Sequence, residues 1–181
     1  MKTNAFPLLA LALALGATLA QPAHARGDPA RDLDSFNHWL TANLACSDDF
    51  MEQVQDKKFL ARAKALGIDV KTDWQEGDTP SGDFFLREPI TVAGQDSTQI
   101  HYWGDSGAEF YATVAVSAEK IAKTIGGTPV PARLKHDFDA KTIAISFVRP
   151  AAKDERLAPA IFVRTGAKAG TAEVGCRYFD G

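Results

Sequence analysis

The chain is poor in cysteine and carries no strong charge of either sign. It has two cysteines, Cys46 and Cys176, among 181 residues, and its formal net charge at pH 7 is −3. Two thiols are too few for a cysteine-rich metal site, and they lack the short Cys-x-x-Cys spacing of redox enzymes. A weakly acidic chain also lacks the basic surface that binds nucleic acid or an anionic membrane. We therefore expect no nucleic acid among its partners.

Several motifs that identify enzymes are missing from the sequence. It contains no glycine-rich phosphate loop and no His-Glu-x-x-His zinc motif. It also has no Asn-x-Ser/Thr acceptor for glycosylation, which is a modification site and not an enzyme motif. The one local group of metal-ligating side chains is His136 with Asp137 and Asp139, and its spacing matches no calcium loop. The sequence therefore predicts no metal site and no cofactor.

Long hydrophobic runs are absent except within the first 25 residues. Lys2 is followed by a run rich in Leu and Ala over residues 6–19, and Ala23-His24-Ala25 forms a small-x-small cleavage site. This pattern predicts a secretory signal peptide over residues 1–25, with cleavage after Ala20 as the alternative. The run is shorter than the roughly 20 residues that a membrane span needs. We expect a periplasmic or secreted protein with no membrane span in the mature chain.

The two cysteines are predicted to form a disulfide. A secreted chain meets an oxidising compartment, in which such a pair normally closes. The bond would join the N-terminal region to the C-terminal end, with Cys46 and Cys176 far apart in the sequence. For so long a loop, the chain-entropy estimate gives at most about 5 kcal/mol of stabilisation.

Helical patterns occupy the N-terminal part of the predicted mature chain. Leu33, Phe36, Leu40 and Leu44 recur at three- and four-residue steps after Asp32, which is a plausible N-cap. A second helical region is predicted from an N-cap at Ser47 to a stop at Gly67, with Asp48 and Asp49 at its positive end. The polar run at residues 55–58 interrupts its apolar stripe, so the region is expected to kink or to divide into two short helices.

Beyond Gly67 the pattern changes to alternation of polar and apolar residues between turn signals, which indicates strands. We predict strands over residues 68–74, 83–92, 98–103, 109–116, 133–135, 142–148, 160–164 and 173–179. Ser117 and Gly126-Gly127 bound a short helix. The predicted fold is one α+β domain over residues 26–181, with N-terminal helices packed on a mainly antiparallel sheet of about 6–8 strands and one short helix inserted near residues 117–125.

A serine between glycines is the nearest approach to a catalytic motif. Gly104-Asp105-Ser106-Gly107 resembles the nucleophile segment of chymotrypsin-like proteases over these four residues. That family needs a histidine and an aspartate upstream of the serine, on a larger two-barrel body. Between two aromatic strands, the segment is typical of a hairpin turn.

Two acidic loops are the predicted binding surfaces. Residues 74–83 form an acidic, turn-rich loop that begins at a tryptophan, and a second acidic turn follows another tryptophan. Loops on a rigid sheet are frequent recognition sites, with aromatic side chains as anchors and carboxylates as charge complements. The predicted contact residues are Trp74, Glu76, Asp78, Trp103 and Asp105.

These features predict a secreted or periplasmic, non-enzymatic binding protein of the inhibitor or immunity type, whose partner is a basic protein. One alternative is a small secreted hydrolase with a site near His101, Asp105 and Ser106. The other is an accessory subunit of an envelope assembly, which would expose a sheet edge or an apolar patch.

Overall fold

An antiparallel sheet with helices packed on one face organises the protein. The structure, a computed structural model, describes residues 28–75, 78–105, 107–148 and 158–179. The described helices are α1 (Leu33–Leu44), α2 (Met51–Gln55), α3 (Lys57–Ala65) and α4 (Ala118–Thr124), with a 3-10 helix at Ala132–Leu134. The described strands are β1 (Asp69–Thr72), β2 (Ser81–Val92), β3 (Gln95–Asp105), β4 (Gly107–Val114), β5 (Thr142–Phe147), β6 (Ala160–Thr165) and β7 (Ala172–Phe179). The predicted signal peptide lies outside the described residues.

Helix α1 forms where the sequence predicts it. The Asp32 carboxylate accepts a hydrogen bond of 2.7 Å from the backbone N–H of Ser35, as an N-cap does. Phe36 and Leu40 are buried against the sheet, whereas Leu33, which was expected to belong to the same stripe, is 46% exposed. The apolar stripe therefore begins one turn into the helix.

The second helical region divides into α2 and α3, as the polar run at residues 55–58 predicted. Asp56 caps α3 through the N–H of Lys58 at 2.8 Å, and Gly67 ends the region with a φ of +88° that glycine adopts without strain. The predicted N-cap at Ser47 is wrong, because its hydroxyl donates to the carbonyl of Ala42 at 2.9 Å. The carboxylate of Asp49 instead accepts the N–H of Met51.

The seven described strands form one sheet in the order β1-β2-β3-β4-β7-β6-β5, and every neighbouring pair is antiparallel. This confirms the predicted class and strand count. The strand predicted at residues 133–135 is wrong: Ala132–Leu134 is a 3-10 helix in which the N–H of Leu134 bonds to the carbonyl of Pro131 at 2.9 Å. The ring of Pro131 fixes the backbone φ angle at the start of that turn, and short 3-10 turns are frequent connectors between longer elements.

Two apolar clusters cover the two faces of the sheet unequally. The larger packs the helices against Phe84, Ile100, Phe110 and Val174 on one face. The smaller lies on the opposite face over β5 and β6 and joins Leu134 and Phe138 to Ile145, Ala160 and Phe162. The second face is therefore covered at its β5 end, while its β2, β3 and β4 end carries polar and aromatic side chains.

The predicted disulfide is present between Cys46 and Cys176, whose Cα atoms are 5.1 Å apart. Cys176 lies on the helix-covered face of β7 and is fully buried. The bond therefore fixes the end of α1 to the last strand. In the described part of the chain, the helices are too short or too polar to cross a membrane.

Candidate functional site

The candidate site lies on the face of the sheet opposite the helices, which we call the open face. Strand register places His101 of β3 directly opposite Asp83 of β2 and Tyr111 of β4. Two residues along β3, and on the same face of the sheet, Trp103 lies opposite Glu109 of β4. A cavity of about 310 Å³ opens here. Its lining includes Asp73, Asp83, His101, Trp103, Glu109, Tyr111 and Arg164.

His101 connects a carboxylate to a hydroxyl. Its Nδ1 contacts Oδ1 of Asp83, and its Nε2 lies 3.2 Å from Oγ1 of Thr113. The ring also stacks on Tyr111 with centroids 4.8 Å apart. In the neutral imidazole, an Nδ1–H that donates to Asp83 leaves Nε2 to accept the Thr113 hydroxyl. Asp83, His101 and Thr113 therefore form one connected series of polar side chains.

A four-membered ion-pair network supports the floor of the cavity. Glu109 accepts from Nη1 of Arg164 at 2.8 Å and from Nη1 of Arg177 at 2.6 Å, while Nε of Arg164 donates to Glu173 at 2.5 Å. These side chains are only 10–18% exposed. Burial lowers the pKa of Arg164, but Glu109 and Glu173 outweigh burial and hold that pKa above its ordinary value. The network is neutral as a whole, since two cations meet two anions.

Tyr111 lies between His101 and this network. The guanidinium carbon of Arg164 lies 4.4 Å from the Tyr111 ring centroid and 4.9 Å from that of Phe162. Burial raises the pKa of the Tyr111 hydroxyl, so the side chain stays neutral over the physiological range. The Tyr111 ring thus contacts both the Arg164 guanidinium and the His101 imidazole.

A glycine on β7 allows the close strand approach beneath this stack. Gly175 lies directly opposite Tyr111, and a Cβ added there would collide with the backbone of Phe110 and Tyr111. The colliding atoms include main-chain atoms, which cannot move aside as a flexible side chain could. The sequence is therefore restricted to glycine at this point of the sheet.

The structure brings only part of the predicted contact set to the cavity. Trp103 lines it and is 38% exposed, whereas Trp74 is half-buried and packs against the larger apolar cluster. Asp78 is exposed and accepts the N–H of Gln75 at 3.1 Å, which shapes the turn. Asp105 is the last residue of β3, paired with Gly107. Glu76 lies outside the described residues.

The residues predicted for a hydrolase do not form one described cluster. His101 takes Asp83 and Thr113 as partners, and Ser106 lies outside the described residues. His136 lies on the surface with its Nε2 3.2 Å from Asp137. Within the described ranges, no group of three or more histidine, cysteine, aspartate or glutamate side chains is placed to hold a metal ion.

Sequence reasoning missed the carboxylates and the arginine of the open face. Asp83, Glu109 and Arg164 lie in three different strands, and Glu109 and Arg164 are separated by 55 residues. One signal was present: charged residues inside predicted strands that are otherwise apolar, such as Glu109 beside Phe110 and Arg164 after Val163. A charge in such a place needs a partner, although the sequence does not say which one.

Comparison of the chain with protein-family models, with curated proteins and with solved structures gives no match, so the geometry of the open face is the basis for assigning a function.

Proposed function

We propose that this is a non-enzymatic protein of a periplasmic or secreted compartment that recognises another protein through the cavity end of the open face. The observation that carries the proposal is Trp103, an exposed tryptophan on a central strand at the wall of a cavity lined by carboxylates. Tryptophan is enriched among the residues that dominate protein–protein binding energy, and these residues occupy well-packed pockets.

The rigidity of the surroundings supports this role. Trp103 lies opposite Glu109, whose two carboxylate oxygens are held by Arg164 and Arg177. A binding surface that is already ordered loses little conformational freedom when it meets its partner. The ion-pair network thus fixes the strands beneath the tryptophan.

Charge and compartment agree with a basic extracytoplasmic partner. The chain carries a net charge of −3, and Asp73 and Asp83 line the cavity. The Cys46–Cys176 disulfide is typical of proteins from oxidising compartments, and the leader-like pattern of residues 1–25 points the same way. A basic protein of the envelope, such as a toxin or an enzyme that this chain inhibits, would bind this surface through complementary charge.

The test compares Trp103→Ala with a matched control, Phe147→Ala. Phe147 is also an exposed aromatic, 41% accessible, but lies on β5 at the far end of the sheet. The full chain is exported, oxidised and used to retain envelope and secreted proteins at low salt, and the affinity of the retained partner is then measured after purification. We expect Trp103→Ala to weaken binding by at least about tenfold, with Phe147→Ala unchanged. Equal affinity of Trp103→Ala and the unaltered chain would reject the proposal.

A small hydrolase is the second candidate, and the link from Asp83 through His101 to Thr113 favours it. A carboxylate, an imidazole and a hydroxyl in series can activate the hydroxyl as a nucleophile. The cavity lining contains His101 but not Thr113, so a substrate there would meet the imidazole before the hydroxyl. For this reason the hydrolase ranks second. Labelling of Thr113 or Ser106 by a fluorophosphonate, lost in His101→Ala, would reverse the order.

A further inference from the structure

We propose that the cavity of the open face receives the guanidinium group of an arginine side chain from the partner protein, between the Trp103 indole and the carboxylates of Asp73 and Asp83. This inference rests on the proposed function and specifies the chemistry of the group that the cavity accepts. It is carried by the spacing of the lining residues and by the distribution of charge among them.

The spacing suits one planar cation. Asp83 lies opposite His101, and Trp103 lies opposite Ser81. Asp83 and Trp103 are therefore diagonal neighbours on one face, a relation in which the two residues are typically about 7–8 Å apart. The N–H of Asp73 bonds to the carbonyl of Ser81 at 3.1 Å, which continues the strand register and puts Asp73 beside the same row. The cavity volume of about 310 Å³ holds a side-chain head group and several waters, since a water occupies about 30 Å³.

The charges of the lining favour a cation over an anion. Among the described residues of the lining, Arg164 is the one arginine, and its Nε and Nη1 already donate to Glu173 and Glu109. An incoming anion would have to compete with the carboxylates of Glu109 and Glu173 for that guanidinium. Both oxygens of Glu109 are likewise taken by arginines, and Oδ1 of Asp83 contacts His101. Among the described residues of the lining, the carboxylate of Asp73 and Oδ2 of Asp83 are therefore the oxygens left for a ligand.

The aromatic wall distinguishes guanidinium from other cations. A guanidinium stacks on an indole face while its N–H groups reach carboxylates in the same plane, which the compact ammonium of lysine does less well. Trp103 is exposed enough to offer a face, and the side chain of Asp83, 22% exposed, is sheltered enough to strengthen a charged hydrogen bond. Arg164 over Tyr111 shows the same kind of stacking inside the protein, at 4.4 Å.

The probe is N-acetyl-arginine amide, with N-acetyl-citrulline amide as a neutral compound of nearly the same shape. The full oxidised chain is titrated while the indole N–H signals are followed by NMR. We expect the arginine amide to shift the Trp103 signal saturably and to bind at least tenfold more tightly than the citrulline amide. Equal affinities for the two compounds, or no shift of Trp103 with either, would overturn the inference.

Variants distinguish binding at a defined site from nonspecific attraction of the arginine amide to an acidic protein. Asp83→Asn and Asp73→Asn are each expected to weaken arginine amide binding by about threefold or more, whereas Asp96→Asn is expected to leave it unchanged. Asp96 is an exposed carboxylate at the opposite end of the β2–β3 pair and serves as the control. Asp73 is exposed and belongs to no described strand, so Asp73→Asn remains informative if Asp83→Asn perturbs His101. Loss of equal size in Asp96→Asn would contradict a defined site.

Failure of this inference and failure of the proposed function give different results. If partner binding needs Trp103 but neither aspartate, protein recognition stands and the arginine occupant is wrong. If partner binding is indifferent to Trp103, the proposed function fails, whatever the small compounds do.

Discussion

Glu109 is the residue on which the open face depends most. It is 7% exposed, lies in the middle of the sheet and accepts a hydrogen bond from each of two arginines. A carboxylate buried among apolar strands would be costly alone, and the two guanidinium groups offset that cost. Glu109 also lies directly opposite Trp103 on the neighbouring strand, so the ion-pair network holds the strand next to the proposed binding residue.

Glu109→Gln is expected to lower the free energy of unfolding by about 2–4 kcal/mol, because the amide leaves Arg164 and Arg177 without their shared counter-charge. Urea denaturation followed by circular dichroism measures the change. Glu88→Gln, at an exposed position of β2, removes the same charge where no burial adds to the cost. The two variants should differ clearly, and a loss of less than about 0.5 kcal/mol in Glu109→Gln would show that the network is not stabilising.

The candidate site was only partly predictable at the residue scale. Trp103 could be found because an aromatic residue beside an acidic turn is visible locally, and it does line the cavity. Trp74 has the same local pattern but packs against the apolar core instead. Which side of the sheet each tryptophan faces depends on strand register, and a shift of one residue reverses the face.

Among the elements, those with local end signals were predicted best. Asp32 and Ser117 cap α1 and α4 as the sequence indicated, and Gly67 ends the region of α3. Ser47 does not cap α2, because its hydroxyl donates to the carbonyl of Ala42. The carboxylate of Asp49 accepts the N–H of Met51, the first residue of α2, instead. Cap signals thus locate a helix end to within a few residues. They do not show which of two nearby polar side chains accepts the hydrogen bond from the first free N–H of the helix.

The cap of α1 predicts a pH dependence. Hydrogen bonds from the side chain and backbone of Ser35, with a further contribution from Arg31, lower the pKa of Asp32 from 3.8 to about 2. A carboxylate whose pKa is lower in the folded state contributes stability above the unfolded pKa, and this contribution is lost as the pH falls through the folded value. We expect the stability difference between the unaltered chain and Asp32→Asn to be constant above about pH 5 and to shrink between about pH 4 and 2.

Asparagine is the informative replacement because its side-chain oxygen can still accept the N–H of Ser35. The variant therefore removes the charge and keeps the cap. Thermal unfolding of both proteins from pH 2 to pH 6 gives the difference, and carboxyl NMR of Asp32 gives its midpoint. A midpoint near 4, together with a stability difference that does not vary with pH, would disprove the expectation.

For the whole molecule, sheet class was predictable and sheet order was not. Alternation and turn signals give the number and direction of strands, but β7 inserts between β4 and β6, so the chain after β4 crosses to the far edge before it returns. That crossover brings Arg177 of β7 and Arg164 of β6 to Glu109 of β4. The ion-pair network thus follows from long-range topology, which no local pattern contains.

A disulfide and a tyrosine hydroxyl both join the N-terminal helical region to the last strand. The disulfide links Cys46 to Cys176, and two residues further on, the Tyr178 hydroxyl bonds to the carbonyls of Asn43 and Asp48. Both side chains belong to the face of β7 that the helices cover, whereas Arg177 between them belongs to the open face. The N-terminal attachment and the cavity therefore occupy opposite sides of the sheet.

This separation predicts that loss of the disulfide weakens the fold while leaving the binding surface intact. Cys46→Ala with Cys176→Ala is expected to lower the free energy of unfolding by about 2–5 kcal/mol, because the open chain gains the entropy that a loop of 130 residues had removed. The folded fraction should still bind the arginine amide within about twofold of the unaltered chain, since neither cysteine contacts the open face. Urea midpoints and NMR titration of the same samples measure the two effects. A cavity that lost its affinity in the folded double variant would show instead that the helices control the open face through the sheet.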